Sequence, residues 1–170
     1  MKNKKAVIEI SFGTIFSIIL IIIFIFAASY GIKKFLNLSY CSQIGIFKEE
    51  LQNEIDKIWA GSGEYVYTKN FSLPSKITYI CFGDKENKEK GEYKDYFKDF
   101  KNYGLTNNNF FFIPMKYACD FKTLTLKHID IKKITSKNNP YCIPVTKENV
   151  NIKIVKKTNN NLVCIGENCD

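Results

Sequence analysis

An uncharged run of 23 residues, from Ile10 to Ile32, constrains this chain more than any other feature. Most of its residues are Ile, Phe, Leu or Ala. An α-helix rises about 1.5 Å per residue, so the run spans roughly 34 Å, enough for a hydrocarbon core of about 30 Å. The sequence therefore predicts one membrane-spanning helix, assigned to residues 7–34, with the lipid bilayer as its surroundings.

Lysine residues flank this run on both sides. Three lysines precede it, and Lys33 and Lys34 follow it. Positive charge favours the cytoplasmic side of a membrane, so we expect the N-terminus to lie inside. Residues 1–6 then form a basic cytoplasmic leader, and residues 35–170 form an extracytoplasmic domain. The prediction is a single-pass protein of the cell membrane.

The cysteine pattern favours the same orientation. All six cysteines follow the apolar run, and an even number in a small domain suits disulfide bonds, which persist outside the cytoplasm. The disulfide candidates are Cys41, Cys81, Cys119, Cys142, Cys164 and Cys169. Six cysteines allow about 15 pairings, and the sequence does not choose among them. A terminal clip between Cys164 and Cys169 and a link between Cys81 and Cys142 are two candidates, and buried free thiols are the alternative.

A cleaved secretory signal is the competing interpretation of the apolar run. Ala27-Ala28-Ser29 has the small residues of a cleavage site. The apolar region of such a signal usually has about 7–15 residues, and this run is longer. Its length favours a permanent anchor.

The net charge of +8 exaggerates the basic character of the outer domain. Residues 1–34 hold five lysines and one glutamate, which give +4, and residues 35–170 hold twenty lysines and sixteen acidic residues, which give the other +4. All 25 basic residues are lysine. Arginine supplies the bidentate contacts to phosphates and base edges, so its absence argues against a nucleic-acid partner.

Apolar residues after the span recur with the period of a helix. They lie at spacings of 3, 4, 4 and 3 and form one face: Ile44, Phe47, Leu51, Ile55 and Ile58. Residues 33–39 contain no proline or glycine, so we expect the membrane helix to continue into this amphipathic helix. A restart with Ser39 as N-cap is the alternative.

The sequence pattern of the remaining residues predicts mainly β-strands. Apolar or alternating patterns occur at residues 64–71, 76–82, 110–114, 121–128, 140–144, 150–156 and 162–165. A second helix is predicted at 92–103, where aromatic residues share one face. The predicted class is α+β, with the long helix packed on a mainly antiparallel sheet and a second short helix beside it.

The residue inventory does not favour catalysis. The chain has one histidine, His128, and no Cys-x-x-Cys pair, so we expect no metal site. A couple of Cys119 and His128 would lack a third group and an oxyanion device. No glycine-rich phosphate loop is present. The prediction is a non-enzymatic protein without a cofactor.

Two short motifs match the acceptor pattern for N-linked glycans. Asn70 is the candidate because Asn70-Phe71-Ser72 lies well inside the outer domain. Asn37 lies too close to the predicted membrane segment.

Lys4, Lys5 and Ala6 precede Glu9, and the apolar stretch follows. This N-terminus resembles that of archaeal type IV pilin-like proteins, which carry a class III signal peptide. The resemblance implies that a prepilin peptidase removes a short basic leader. It also implies that the apolar helix anchors the subunit or packs in a filament core, and that Glu9 helps subunits to register. A cut after Ala6 would place Glu9 third, whereas the family usually places this glutamate fifth.

Residues 73–77, Cys81 and residues 139–142 of the outer domain resemble segments of uncharacterised membrane-anchored proteins of small-genome archaea. That resemblance names no activity. The first hypothesis is a pilin-like surface protein with an extracytoplasmic interaction domain and other pilin-like subunits as partners. The alternative is a monomeric membrane-tethered domain that binds a ligand, whose identity the sequence does not predict.

Overall fold

The computed structural model describes residues 12–103 and 107–169. One α-helix, α1, runs from Phe12 to Ala60 without a break at Ser39. The chain divides into two compact units between Ser39 and Tyr40. The continuous helix agrees with the expectation drawn from the absence of proline and glycine between residues 33 and 39.

The described residues of the first unit, 12–39, form the apolar part of α1. Its large side chains are exposed on every face of the helix, and Phe26, for example, is 72% exposed. Within the described residues, α1 is the one helix that is long and apolar enough to cross a membrane. A helix that is apolar all round is stable where lipid or other protein covers it.

The second unit begins with the amphipathic part of α1. The five residues of the predicted stripe, from Ile44 to Ile58, are all buried, as the spacing predicts. Phe47, the second of them, contacts the rings of Phe71, Phe110 and Phe112 at centroid distances of 5.7, 6.2 and 5.8 Å. The helix is therefore the central core element of this unit.

Seven strands form two antiparallel sheets in the described residues. They are β1 (Tyr65–Ser72), β2 (Tyr79–Phe82), β3 (Phe110–Ile113), β4 (Thr123–Leu124), β5 (Tyr141–Pro144), β6 (Asn149–Lys156) and β7 (Cys164–Ile165). One sheet has the order β1-β6-β7 and the other has the order β4-β3-β2-β5. The α+β class is confirmed.

The four-stranded sheet is buried on both faces. On one face, Phe110 and Phe112 join the core that contains α1. On the other, Phe111 and Ile113 pack with a second helix, α2 (Lys94–Asn102). Successive residues of a strand point to opposite faces, so a two-sided sheet requires the uninterrupted apolar run of β3.

Some element boundaries differ from the sequence prediction. The strand expected at 121–128 reduces to the two residues of β4, because its backbone pairs only at Phe110 and Phe111 of β3. The second helix is shorter than the predicted 92–103. A single helical turn, α3 (Ile131–Ile134), was missed because four residues are too few to show a period. Asp130 caps it by accepting the Lys133 N–H at 3.0 Å.

All six cysteines are paired in disulfides. The pairs are Cys41–Cys119, Cys81–Cys142 and Cys164–Cys169. The first ties α1 to the segment after β3, the second joins the neighbouring strands β2 and β5, and the third closes a loop at the C-terminal end. Three disulfides are typical of domains that mature in an oxidising compartment.

Candidate functional site

A cleft of about 370 Å³ lies at the C-terminal end of α1. Its lining includes Trp59, Ser62, Lys156, Thr158, Asn160 and Asn161. The last turn of α1, the loop that follows it, the end of β6 and the loop after β6 supply these residues. A volume of this size is within the usual range for small-ligand pockets, about 300–1,000 Å³.

Trp59 forms the aromatic wall of the cleft. The ring of His128 stacks on it with 3.7 Å between the centroids and 4° between the planes. Nδ1 of His128 donates to Oδ1 of Asp56 at 2.9 Å. Trp59 nevertheless keeps 41% of its surface exposed, so one indole face has a fixed backing while the residue still faces the cleft.

The His128 ring is positioned by backbone contacts on both sides of it. The Lys127 N–H donates to Oε1 of Gln52 at 2.9 Å, and the Val163 N–H donates to the His128 carbonyl at 2.8 Å. Nε2 of Gln52 also donates to Asp56 at 2.7 Å. His128 has a φ of 63°, a left-handed conformation that only a few per cent of residues other than glycine adopt. These contacts offset the cost of that conformation and hold the imidazole against Trp59.

Lys156 caps the C-terminal end of α1 by donating hydrogen bonds to carbonyl groups there. Its Nζ donates to the carbonyl oxygen of Trp59 at 2.7 Å and to that of Gly61. The last carbonyls of a helix have no partner within the helix, and a lysine there also interacts favourably with the helix dipole. The ammonium group is thus engaged by backbone oxygens at the edge of the cleft.

Gly61 permits a close approach at the same place. A Cβ added to it would lie 2.7 Å from the hydroxyl oxygen of Tyr65. The glycine that follows the helix therefore leaves room for the Tyr65 side chain of β1. A substitution there would displace either the tyrosine or the wall of the cleft.

A polar cluster joins the outer side of α1 to β1. The Tyr67 hydroxyl donates to Oε2 of Glu54 at 2.6 Å, and Nζ of Lys69 donates to Oε1 at 2.6 Å. The hydrogen bond from Lys69, followed by that from Tyr67, lowers the pKa of Glu54. Burial, followed by the bond to Glu54, raises the pKa of the Tyr67 phenol. Every group in this cluster has a protein partner, so its role is to fasten helix to sheet.

A second cleft, of about 330 Å³, is lined in part by the buried residue Asp84. Both carboxylate oxygens of Asp84 are used, by the Glu86 N–H at 2.9 Å and by the side chain of Asn87 at 2.7 Å. Asn139 bonds both the N–H and the carbonyl of Asp84, at 3.0 and 2.9 Å. These hydrogen bonds hold the loop that begins at Asp84 against Asn139. They leave neither carboxylate oxygen of Asp84 without a partner.

Lys76 contacts the rings of two tyrosines, Tyr40 and Tyr117, of which Tyr40 is the first residue of the second unit. Its Nζ is 5.6 Å from the ring centroid of Tyr40 and 5.4 Å from that of Tyr117. Burial raises the pKa of the Tyr40 phenol, and among the described residues its hydroxyl has no hydrogen-bond partner. The arrangement is a cation–π contact that packs the segment after β1 against α1.

Several sequence-predicted site residues lie outside the described residues. These are Lys4, Lys5, Ala6 and Glu9, which the pilin-like resemblance assigns to leader processing and subunit registry. Asn70 lies on β1 with an exposed side chain, and its Nδ2 donates to Oδ1 of Asn151 at 2.8 Å.

The residues considered for chemistry are not brought together as a catalytic pair. Cys119 is bonded to Cys41, while His128 contacts Asp56 and Trp59. The described part of the chain holds no cluster of three or more His, Cys, Asp or Glu side chains that could bind a metal ion.

The stack of Trp59 and His128 was missed by sequence reasoning. Gln52, Asp56 and Trp59 recur at spacings of 4 and 3 on α1, which is a signal for a shared face. The partner histidine lies 72 positions from Asp56, and no local pattern links residues so far apart.

Comparison with known proteins identified no relative of this chain. No family model, no curated protein and no solved structure matches the chain.

Proposed function

We propose that this chain is a membrane-anchored surface protein of the pilin-like kind, with an outer domain that serves as an interaction module. The continuity of α1 carries the proposal. One helix begins as an exposed apolar segment and ends as the central core element of a disulfide-bonded domain. This combination supports a subunit whose helix serves both as membrane anchor and as scaffold of the domain.

The proposed topology places the N-terminus in the cytoplasm and the second unit outside. Lysines before the span and the three disulfides after it support this direction. Protease treatment of intact cells tests it, because the outer domain should be digested while a cytoplasmic control protein survives. Protection of the domain would contradict the proposal.

Leader removal and assembly separate the pilin-like proposal from a simple tether. The intact mass of the mature protein should show loss of a leader that ends at or near Ala6. Glu9→Gln should reduce the yield of cross-linked multimers without releasing the protein from the membrane. Glu49→Gln, a charge-matched change at an exposed position of α1, is the control and should leave both readouts unchanged.

The second candidate function is a monomeric tethered domain that binds a ligand. The cleft beside Trp59 favours it, because an aromatic wall with neutral polar groups around it is typical of a binding pocket. An uncut N-terminus together with a monomeric protein in membranes would favour this candidate over the first.

A further inference from the structure

We propose that the cleft at the C-terminal end of α1 binds a neutral carbohydrate. The assignment rests on the proposed interaction role of the outer domain and names the ligand class of its site. It depends on three properties of the cleft, namely a rigid aromatic plane, a neutral polar lining and an engaged lysine.

The aromatic plane is Trp59. Sugar rings present flat C–H faces that pack on an indole, and the energy of that contact depends on the ring being held in place before binding. His128 supplies the backing by stacking at 3.7 Å, and Asp56 fixes the imidazole. The indole is therefore held on one side and can receive a ligand on its exposed surface.

The polar lining matches hydroxyl groups. Ser62 and Thr158 contribute hydroxyls, and Asn160 and Asn161 contribute carboxamides. Each of these groups can both donate and accept a hydrogen bond, as a sugar hydroxyl does. Residues 158–161 form a loop after β6, so their side chains approach the indole from a different element of the fold.

The charges of the cleft argue against an ionic ligand. Among the described lining residues, Lys156 carries the one full charge, and its ammonium already bonds the carbonyls of Trp59 and Gly61. Those two carbonyls use two of the three N–H groups of the ammonium, so an anion would meet one remaining donor and a charge already offset by the helix end. The described lining contains no carboxylate that could bind a cation. It contains one aromatic ring, whereas the sites that bind quaternary ammonium groups use a cage of several.

Trp59 is the only tryptophan of the chain, so its fluorescence reports directly on the cleft. The experiment uses the full-length protein in phosphatidylcholine nanodiscs, because maltoside detergents would introduce a competing sugar. Maltohexaose, mannotriose and triacetylchitotriose are the three neutral probes, and a heparin hexasaccharide is the anionic probe. We expect a saturable fluorescence change with at least one neutral probe and a weaker response to heparin.

Isothermal titration then compares variants with the neutral probe that binds. Trp59→Ala should weaken binding roughly tenfold or more, as expected for loss of an aromatic anchor, and Trp59→Phe should weaken it less. Tyr103→Ala removes another exposed aromatic ring that does not line the cleft, and it should bind like the wild type. Asn160→Ala alters the loop alone and should also weaken binding, which keeps a test available if Trp59→Ala fails to fold.

Three results would overturn the assignment. They are the absence of a saturable response to all three neutral probes, binding that Trp59→Ala and Asn160→Ala leave unchanged, and tighter binding of heparin than of any neutral probe. Its failure is distinct from that of the proposed function, since protease protection tests the anchor and the titration tests the cleft.

Discussion

The two parts of α1 have the same backbone and opposite surroundings. Up to Ser39 its apolar side chains are exposed on all faces, whereas after Tyr40 a single stripe from Ile44 to Ile58 is buried. The difference shows that the distribution of apolar residues around the helix axis, more than their number, determines which surroundings stabilise a helix. A full circle requires lipid or protein all round, and a stripe requires one packed face.

Removing the disulfide that links the second part of α1 to Cys119 should cause the largest loss in the free energy of unfolding. Cys41–Cys119 has a sequence separation of 78 and Cys164–Cys169 has one of 5. Chain entropy predicts that Cys41→Ala with Cys119→Ala lowers the free energy of unfolding by about 4.5 kcal/mol, and that Cys164→Ala with Cys169→Ala lowers it by about 2 kcal/mol. Urea unfolding followed by Trp59 fluorescence measures both, and equal losses would contradict the entropic account.

Phe47 tests how strongly the stripe supports the domain. Phe47→Ala should lower the free energy of unfolding by about 3–5 kcal/mol, because it opens a cavity where α1 meets both sheets. Ile46→Ala is the adjacent control, since Ile46 is 53% exposed, and its change should stay within about 0.5 kcal/mol. Similar urea midpoints for the two variants would mean that burial of the stripe does not stabilise the domain.

A lysine placed in each part of α1 tests the difference in solvent. Ile22 and Ile46 are exposed to similar extents, 47% and 53%, but the first lies in the segment proposed to contact lipid. Ile22→Lys should disfavour membrane insertion by about 3 kcal/mol and shift protein to the soluble fraction, while Ile46→Lys should not. If both variants stay in the membrane fraction equally, the proposed lipid contact of Ile22 is wrong.

The cluster of Glu54, Tyr67 and Lys69 should give the smallest effect, visible as a pH dependence. The pKa of Glu54 is lowered from its ordinary value of 4.5, so the ionised form stabilises the fold above that pH. This contribution is lost as the pH falls through the lowered pKa. The raised pKa of Tyr67 acts in the opposite range, where its contribution is present below pH 10 and is lost as the pH rises further.

Glu54→Gln should therefore reduce the acid-side slope of stability against pH. The expected difference from the wild type at neutral pH is about 0.5–1 kcal/mol, since the ion pair with Lys69 is partly exposed. Urea midpoints between pH 3 and pH 7, about the range of carboxylate titration, provide the measurement. Glu49→Gln is the control, and an identical slope for the two variants would rule out a specific contribution from Glu54.

The main elements of the fold could be predicted because their signals are local. The spacing from Ile44 to Ile58 defined the buried face of α1, and the alternation of Val150, Ile152 and Ile154 marked the inner face of β6. The apolar run at Phe110–Ile113 marked a strand, but its burial on two faces could not be read from it. That property depends on α2, which arrives from a separate part of the chain.

The cleft could not be predicted because it depends on distant pairings. Trp59 follows Ile58, the last residue of the predicted stripe, and His128 ends the strand predicted at 121–128, and no local sequence pattern links the two residues. Their contact requires the position of residues 127–129 against α1, which the bonds from Lys127 to Gln52 and from Val163 to His128 define. Two of the three disulfides, Cys81–Cys142 and Cys164–Cys169, were among the candidates drawn from the sequence, whereas Cys41–Cys119 was not, because composition restricts the number of pairings and not the choice.

The double-sided sheet also implies two levels of protection against hydrogen exchange. Amides of β6 and of the inner part of α1 belong to the larger core, whereas the cluster of Phe97, Phe100 and Phe111 lies on the far side of the sheet. If α2 lifts away, it exposes that smaller cluster and leaves the Phe47 side covered. We therefore expect the amides of the outer layer to exchange through their own opening equilibrium, while those of the larger core stay protected.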